Sequence, residues 1–118
     1  MAGKLGVGVV GTGFGQKIHV PGFQEHPRTR VVAVAAAHPD RAAEAAEASE
    51  IPFATADYRE LIARPEVDIV SIATPPHLHA EIALAALAAH KPILVEKPLA
   101  HSLAQAVAVC EAARKAGV

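Results

Sequence analysis

Short runs of consecutive apolar residues alternate with longer stretches of helical spacing along the whole of this 118-residue chain. Leu5–Val10, Val31–Ala35, Asp68–Ala73 and Ile93–Val95 are the runs, and Ile51–Ala54 supplies a weaker edge strand. Apolar residues at successive positions, without polar alternation, predict strands covered on both faces. The helical stretches begin with Gln16–Glu25, where Pro21 must bend or restart the helix. Asp40–Ala48 follows, with Pro39 suited to a first turn. Asp57–Ala63 opens with the D-x-x-E of a capping box, and His79–Ala89 is predicted to turn Ile82, Leu84 and Leu87 toward the sheet. Ser102–Ala116 carries a start signal in Ser102 and Gln105 and a stop at Gly117, with Leu103, Val107 and Cys110 at helical spacing. Strand–helix alternation of this kind predicts an α/β fold, a doubly wound parallel sheet with right-handed crossovers. The length suits one domain over residues 1–118, and Gly117-Val118 reads as the first residues of a further strand.

Composition narrows the classes. Only 3% of residues are aromatic, although 52% are hydrophobic, so the core must be made of Ala, Val, Leu and Ile. Small side chains suit close packing of helices on a sheet. The net charge of −1, with no Lys/Arg run, gives no electrostatic support for a nucleic-acid partner. Leu5–Val10 is too short to span a membrane and lacks the pattern of a signal peptide, so no membrane association is expected. The single cysteine, Cys110, excludes an internal disulfide and fits a reducing, cytoplasmic setting; on an Ala-rich helix it reads as a small buried hydrophobe.

The turn Gly11-Thr12-Gly13-Phe14-Gly15-Gln16 stands where the first strand hands over to the first helix. A dinucleotide pyrophosphate needs a sharp turn, main-chain N–H groups that can approach it, and a helix N-terminus behind them. A Cβ at Gly13 would occupy the space of that anion. The match to G-x-G-x-x-G is imperfect, because Gln16 takes the third glycine position and Gly15 comes one residue early. Gln16 therefore predicts either a shifted first helix or a side chain turned outward. A glycine-rich turn can also be only a turn; its place between a strand and a helix favours the cofactor.

About 20 residues further on, the fold places the group that reads the adenosine ribose. Here the end of the second strand reads Ala35-Ala36-Ala37-His38-Pro39-Asp40-Arg41. It has no acid to accept from a free 2′-hydroxyl and no strand-end Arg to clamp a 2′-phosphate; His38 and Arg41 are the nearest candidates. The choice between NAD and NADP stays open, with a lean to NADP because nothing repels the phosphate. The two dissociation constants should differ by less than about 100-fold.

Two more clusters follow predicted strands: Thr74-Pro75-Pro76-His77-Leu78-His79 and Glu96-Lys97-Pro98. Open α/β sheets bind ligands at such C-terminal strand ends. The pair His77 and His79 lacks the third converging ligand that a metal needs, so no metal is expected. His79 reads as a pocket or helix-start residue. His19, one turn into the first helix, either approaches the cofactor or serves the structure.

With these motifs in view, the chain resembles the N-terminal domain of the glucose–fructose oxidoreductase / inositol dehydrogenase (Gfo/Idh/MocA) family. The resemblance rests on GTGFGQKIHVPGF (11–23), DYREL (57–61), VDIVSIATPPHLHAEIALAALAAHKPILVEKPLA (67–100) and the closing helix to Gly117. It implies that Gly11–Gln16 hold the pyrophosphate and that Ala36 and Ala37 line the adenosine ribose. Ala73, Thr74, Pro75 and His79 would flank the nicotinamide side, and Glu96 and Lys97 would meet the nicotinamide ribose and substrate. The family often has Asn where Pro76 stands, and an acidic or Ser-Arg pair where Ala36-Ala37 stand, so those contacts are lost here. It also implies a following substrate domain, absent from this chain, that supplies an acid–base His or Asp. The complete enzyme would be an oxidoreductase acting on a sugar, polyol or related CH–OH carbon, and a homo-oligomer. The 118 residues alone would bind cofactor without turnover. Lys97 is the one catalytic candidate, able to stabilise oxyanion charge or relay a proton, and Pro98 beside it is a candidate for a cis peptide.

Two other classes compete. A non-catalytic NAD(P)-responsive binding module would keep the glycine turn with no need for Lys97. A nucleoside-cofactor methyltransferase would put an acid at the end of strand two and leaves Glu96-Lys97-Pro98 unexplained.

Overall fold

A computed structural model describes residues 3–118, which form a five-stranded, wholly parallel sheet with helices on both faces. The strands are β1 (Leu5–Val10), β2 (Thr29–Ala35), β3 (Phe53–Thr55), β4 (Ile69–Ile72) and β5 (Ile93–Val95), in the spatial order β3-β2-β1-β4-β5. The helices are α1 (Val20–Glu25), α2 (Pro39–Ser49), α3 (Tyr58–Ala63), α4 (His79–Ala88) and α5 (Leu103–Ala116).

The apolar runs behave as their lack of alternation predicts. Val7 and Val9 of β1 pack with Val20, Val31, Val34 and Ala45 on the α1/α2 face. Val10 joins Val32, Leu61, Val70 and Ile72 on the α3/α4/α5 face. Each such Val, Leu or Ile contributes roughly 1.5–3 kcal/mol relative to exposure. Val32 is an extra residue in β2, a bulge opposite the Val7–Gly8 step. The weaker strand lies at Phe53–Thr55, two residues later than Ile51 suggests. Asp68 precedes β4, yet its carboxylate accepts from Gly6 N–H at 2.7 Å and its own N–H donates to Gly6 O.

Helix signals hold at the ends and fail on some faces. Asp57 Oδ1 caps α3 by accepting from Arg59 N–H at 2.9 Å. The reciprocal half of the predicted box is missing, because Glu60 accepts from the Thr55 hydroxyl instead. Ser102 caps α5 through Gln105 N–H, and Gly117 closes it in the left-handed region (φ 75°). Val118 N–H returns to Ala113 O, so Gly117 and Val118 complete the helix cap and form no strand. In α4, Ile82, Ala83, Ala86 and Leu87 are buried while Leu84 is exposed, since it lies about 200° round the helix from Ile82. In α5 the buried face is Val109 with Ala112 and Ala113; Val107 and Cys110 are exposed and Leu103 is 82% exposed, contrary to expectation. Alanines won these faces because they let the helices approach closely.

The first helix restarts at Pro21. Residues Gly15–His19 form a π-helical turn in which Val20 N–H donates to Gly15 O, and α1 follows with Pro21 in its first turn. A proline is harmless there because its missing N–H has no helical partner to lose. Among the described residues no helix is long and apolar enough to cross a membrane.

Candidate functional site

The chain leaves β1 toward β2 on one side of the sheet, whereas β4 lies on the other side of β1 and leads outward to β5. The carboxyl ends of β1 and β4 therefore frame a topological switch point, where open parallel sheets have their crevice. A cavity of about 500 Å³ lies there. Gly11, Thr12, Gly13, Ala36, Ala37, Arg41, Ala73, Thr74 and Pro75, nine of the residues singled out from the sequence, line it together.

Gly11 is needed for the turn itself. Its φ is +110°, and a Cβ there would sit 2.6 Å from Ala73 O. Its N–H donates to Ala35 O at 2.9 Å, which extends the β1–β2 ladder. That bond corrects one expectation: the Gly11 amide is not free for an anion. The N–H groups of Thr12, Gly13, Phe14, Gly15 and Gln16 make no backbone hydrogen bond, as the first turn of a helix requires. A Cβ on Gly13 would meet nothing within 4 Å, so the space above it is open. Gly15 takes the close-packing role of the missing third glycine; a Cβ on it would meet Val9 Cγ1 at 3.1 Å. Gln16 is half-buried and Phe14 exposed, its ring edge-on to His19 at 6.0 Å.

At the far end, Tyr58 and Leu78 also line the cavity, together with Ala56. Ala56 follows β3, so its place was available to the same strand-end logic that picked out Ala73–Pro75; Tyr58 and Leu78 lie in the DYREL stretch and the Thr74–His79 cluster, but neither was assigned a role from the sequence. The Tyr58 hydroxyl donates to Glu81 Oε2 at 2.7 Å, and the Arg59 guanidinium lies 4.7 Å from its ring centre. Burial first, and then this bond to Glu81, raise the phenol above its ordinary value, which keeps it a donor. His38 is exposed and makes no capping bond to α2.

The second cluster lies at the end of β5, outside the cavity lining. Glu96 N–H donates to Ile72 O, continuing the β4–β5 ladder. Lys97 is exposed, and its bond to Pro98 is cis. His19 is buried; its Nε2–H donates to Glu96 Oε2 at 2.9 Å, while Nδ1 meets the Ser71 hydroxyl at 2.6 Å. That hydrogen bond, the largest influence on it, holds Glu96 below the usual carboxylate range. Serine, histidine and glutamate here resemble a hydrolytic triad in composition only. Ser71 is 0% exposed in the middle of β4 and no substrate reaches it.

His79 is 1% exposed, with Nδ1 facing Pro98 O and Nε2 facing Thr74 O, both at 2.7 Å. The ring thus stands behind the Thr74 wall and does not face the cavity. His77 is exposed, so the two histidines do not converge. Among the described residues no group of three or more His, Cys, Asp or Glu could hold a metal.

A family model described as "Oxidoreductase family, NAD-binding Rossmann fold" matches residues 5–118. The chain belongs to the Gfo/Idh/MocA oxidoreductase family. Among Gfo/Idh/MocA relatives, the levoglucosan dehydrogenase of Pseudarthrobacter phenanthrenivorans is 40% identical over 120 residues, covering 94% of this chain and 30% of that protein. Inositol 2-dehydrogenase of Gluconacetobacter diazotrophicus is 36% identical over 110 residues, covering 92% and 33%. The NADP complex of the 3-ketoreductase KijD10 from Actinomadura kijaniata superposes with a TM-score of 0.91 at 34% identity, covering 98% of this chain and 37% of that one. This Gfo/Idh/MocA chain spans about a third of the length of the curated relatives it matches.

Proposed function

We propose that this chain is the cofactor domain of an NAD(P)-dependent dehydrogenase acting on a sugar, polyol or related CH–OH substrate, with a preference for NADP. The observation that carries this reading is the crevice itself. Thr12 and Gly13 line a cavity of about 500 Å³ whose ribose end has no carboxylate among its lining residues, and they open a run of five main-chain amides, Thr12–Gln16, without backbone partners. The amides of Thr12–Gln16 would hold the diphosphate. Ala36, Ala37 and Arg41 would border the adenosine ribose, and an acid-free wall beside an arginine suits a 2′-phosphate better than a bare hydroxyl. Ala73, Thr74 and Pro75 would wall the nicotinamide side.

When bound, the nicotinamide supplies the hydride chemistry. The protein's share is position and proton management. Glu96 and Lys97, with Pro98 shaping their loop, would approach the nicotinamide ribose and the substrate hydroxyl. The Lys97 ammonium there would stabilise developing oxyanion charge or relay the hydroxyl proton. Substrate selection and the remaining acid–base group belong to a further domain of the kind the longer relatives have room for. The apolar edge of β5, where Leu94 is 49% exposed, supports self-association, and the lone cysteine fits a cytoplasmic setting.

Fluorescence titration with NADPH, NADH and S-adenosylmethionine tests the reading. NADPH should bind tightest, NADH less than about 100-fold more weakly, and S-adenosylmethionine not at all. Saturable binding of S-adenosylmethionine alone, or binding of none of the three, would overturn it.

A further inference from the structure

Two buried histidines remain without a role in cofactor contact, and both end on the same three-residue loop. His19 reaches the loop through the Glu96 carboxylate, whose other oxygen accepts from Lys97 N–H at 3.3 Å. His79 reaches it through the Pro98 carbonyl. On their other sides the rings are anchored in different parts of the fold. His19 sits in the π-helical turn that follows the glycine loop and is pinned to Ser71 of β4. His79 opens α4, and its Nε2 faces Thr74 O in the wall of the cavity.

We infer that His19 and His79 are positioning residues for Lys97: two imidazole ties that hold the Glu96-Lys97-Pro98 loop from both flanks, through His19 Nε2 and His79 Nδ1. This rests on the proposed cofactor role of Lys97 and goes beyond it. Lys97 is exposed and has no side-chain hydrogen bond or salt bridge among the described residues, so the neighbours on each side must fix where its backbone starts. A carboxylate and a carbonyl oxygen only accept, so both rings work as donors toward the loop. Neither ring has an exposed nitrogen with which to meet a dinucleotide. Their burial makes the ties stiff, since a lost bond there leaves a polar group without water.

Amide substitutions separate the two ends of each ring, because the Asn side-chain nitrogen imitates Nδ1 and that of Gln imitates Nε2. At position 79 the loop tie is through Nδ1, so His79→Asn keeps the bond to Pro98 and His79→Gln loses it. At position 19 the loop tie is through Nε2, so the order reverses: His19→Gln keeps the bond to Glu96 and His19→Asn loses it. The 118-residue chain and its four variants are titrated with NADPH and with adenosine 2′,5′-bisphosphate, which carries only the adenine half. His79→Gln and His19→Asn should each weaken NADPH about fivefold, near the net worth of one hydrogen bond. The other two variants should stay within about twofold, and the bisphosphate should bind all five proteins alike. In a Lys97→Met background the opposite ordering should vanish, because the ties act through that side chain.

The same ordering at both positions, equal losses for both probes, or an ordering that survives Lys97→Met would each overturn the inference while leaving the cofactor reading intact. Failure of the unsubstituted chain to bind NADPH would remove both. If buried position 79 accepts neither amide without unfolding, the position 19 pair decides by the same criterion.

Discussion

The cavity after β1 and the loop after β5 are built on opposite principles. At the end of the cavity proposed for the adenosine, the wall is made of Ala36, Ala37 and Ala56, with polarity supplied by Arg41 and Tyr58. At the Glu96-Lys97-Pro98 loop, outside the cavity lining, buried imidazoles meet the loop from two sides. Backbone geometry governs the first region and side-chain hydrogen bonds govern the second. A site made of backbone and methyl groups binds a large ligand by shape and tolerates variation in it. A site held by buried polar ties fixes one charged group in one place, as a reaction centre requires.

That contrast can be broken most forcefully at Gly11. Gly11→Ala puts a Cβ 2.6 Å from Ala73 O at φ +110°. It should cost about 2–4 kcal/mol of stability and lower the thermal midpoint by about 10 °C or more. A melt within about 2 °C of the parent would show that backbone geometry does not govern the first region. The next largest effect concerns ligand choice. Ala37→Asp sets a carboxylate into an acid-free wall and should weaken NADPH about tenfold or more by charge repulsion while sparing or improving NADH. Equal effects on the two cofactors would mean that the ribose does not lie against Ala37.

Much of this architecture is legible in the residues alone, for identifiable reasons. Val7, Val9 and Val10 announce a doubly covered strand because both faces of β1 are buried, and capping residues such as Asp57 and Ser102 act within one helical turn. Helix faces were less legible. In α5 small alanines pack inward while Leu103 and Val107 point out, so the bulkier side chains mislead. The histidine ties were out of reach for another reason. His19 meets Glu96 across 77 positions of sequence and Ser71 across 52, and neither spacing carries periodicity or motif. His79 was legible as belonging near the site, but its burial behind Thr74 depends on the cavity wall being built first.

The smallest effect sharpens the second region. Glu96 accepts from His19 and is held below the ordinary glutamate value, about 4.3. A lowered carboxylate contributes fully above its unfolded value and loses that contribution as pH falls through its folded value. The His19–Glu96 tie should therefore be complete at neutral pH and at pH 5, and be lost only under more acid conditions. The side-chain carboxyl carbon signal of Glu96 should titrate below the ordinary glutamate range, and His19→Asn should return it toward that range. A midpoint at or above the ordinary value in the parent chain would mean that the tie does not form.

The central claim is that free amides in the turn after β1 receive a dinucleotide diphosphate beside the Thr74 wall. Backbone amide spectra of the chain recorded through an NADPH titration test it most directly. The largest shifts should fall on Gly13, Phe14, Gly15 and Gln16, with Ala73 and Thr74 next. Shifts scattered over the outer faces of α2 and α5, with the 12–16 amides unmoved at saturation, would contradict it.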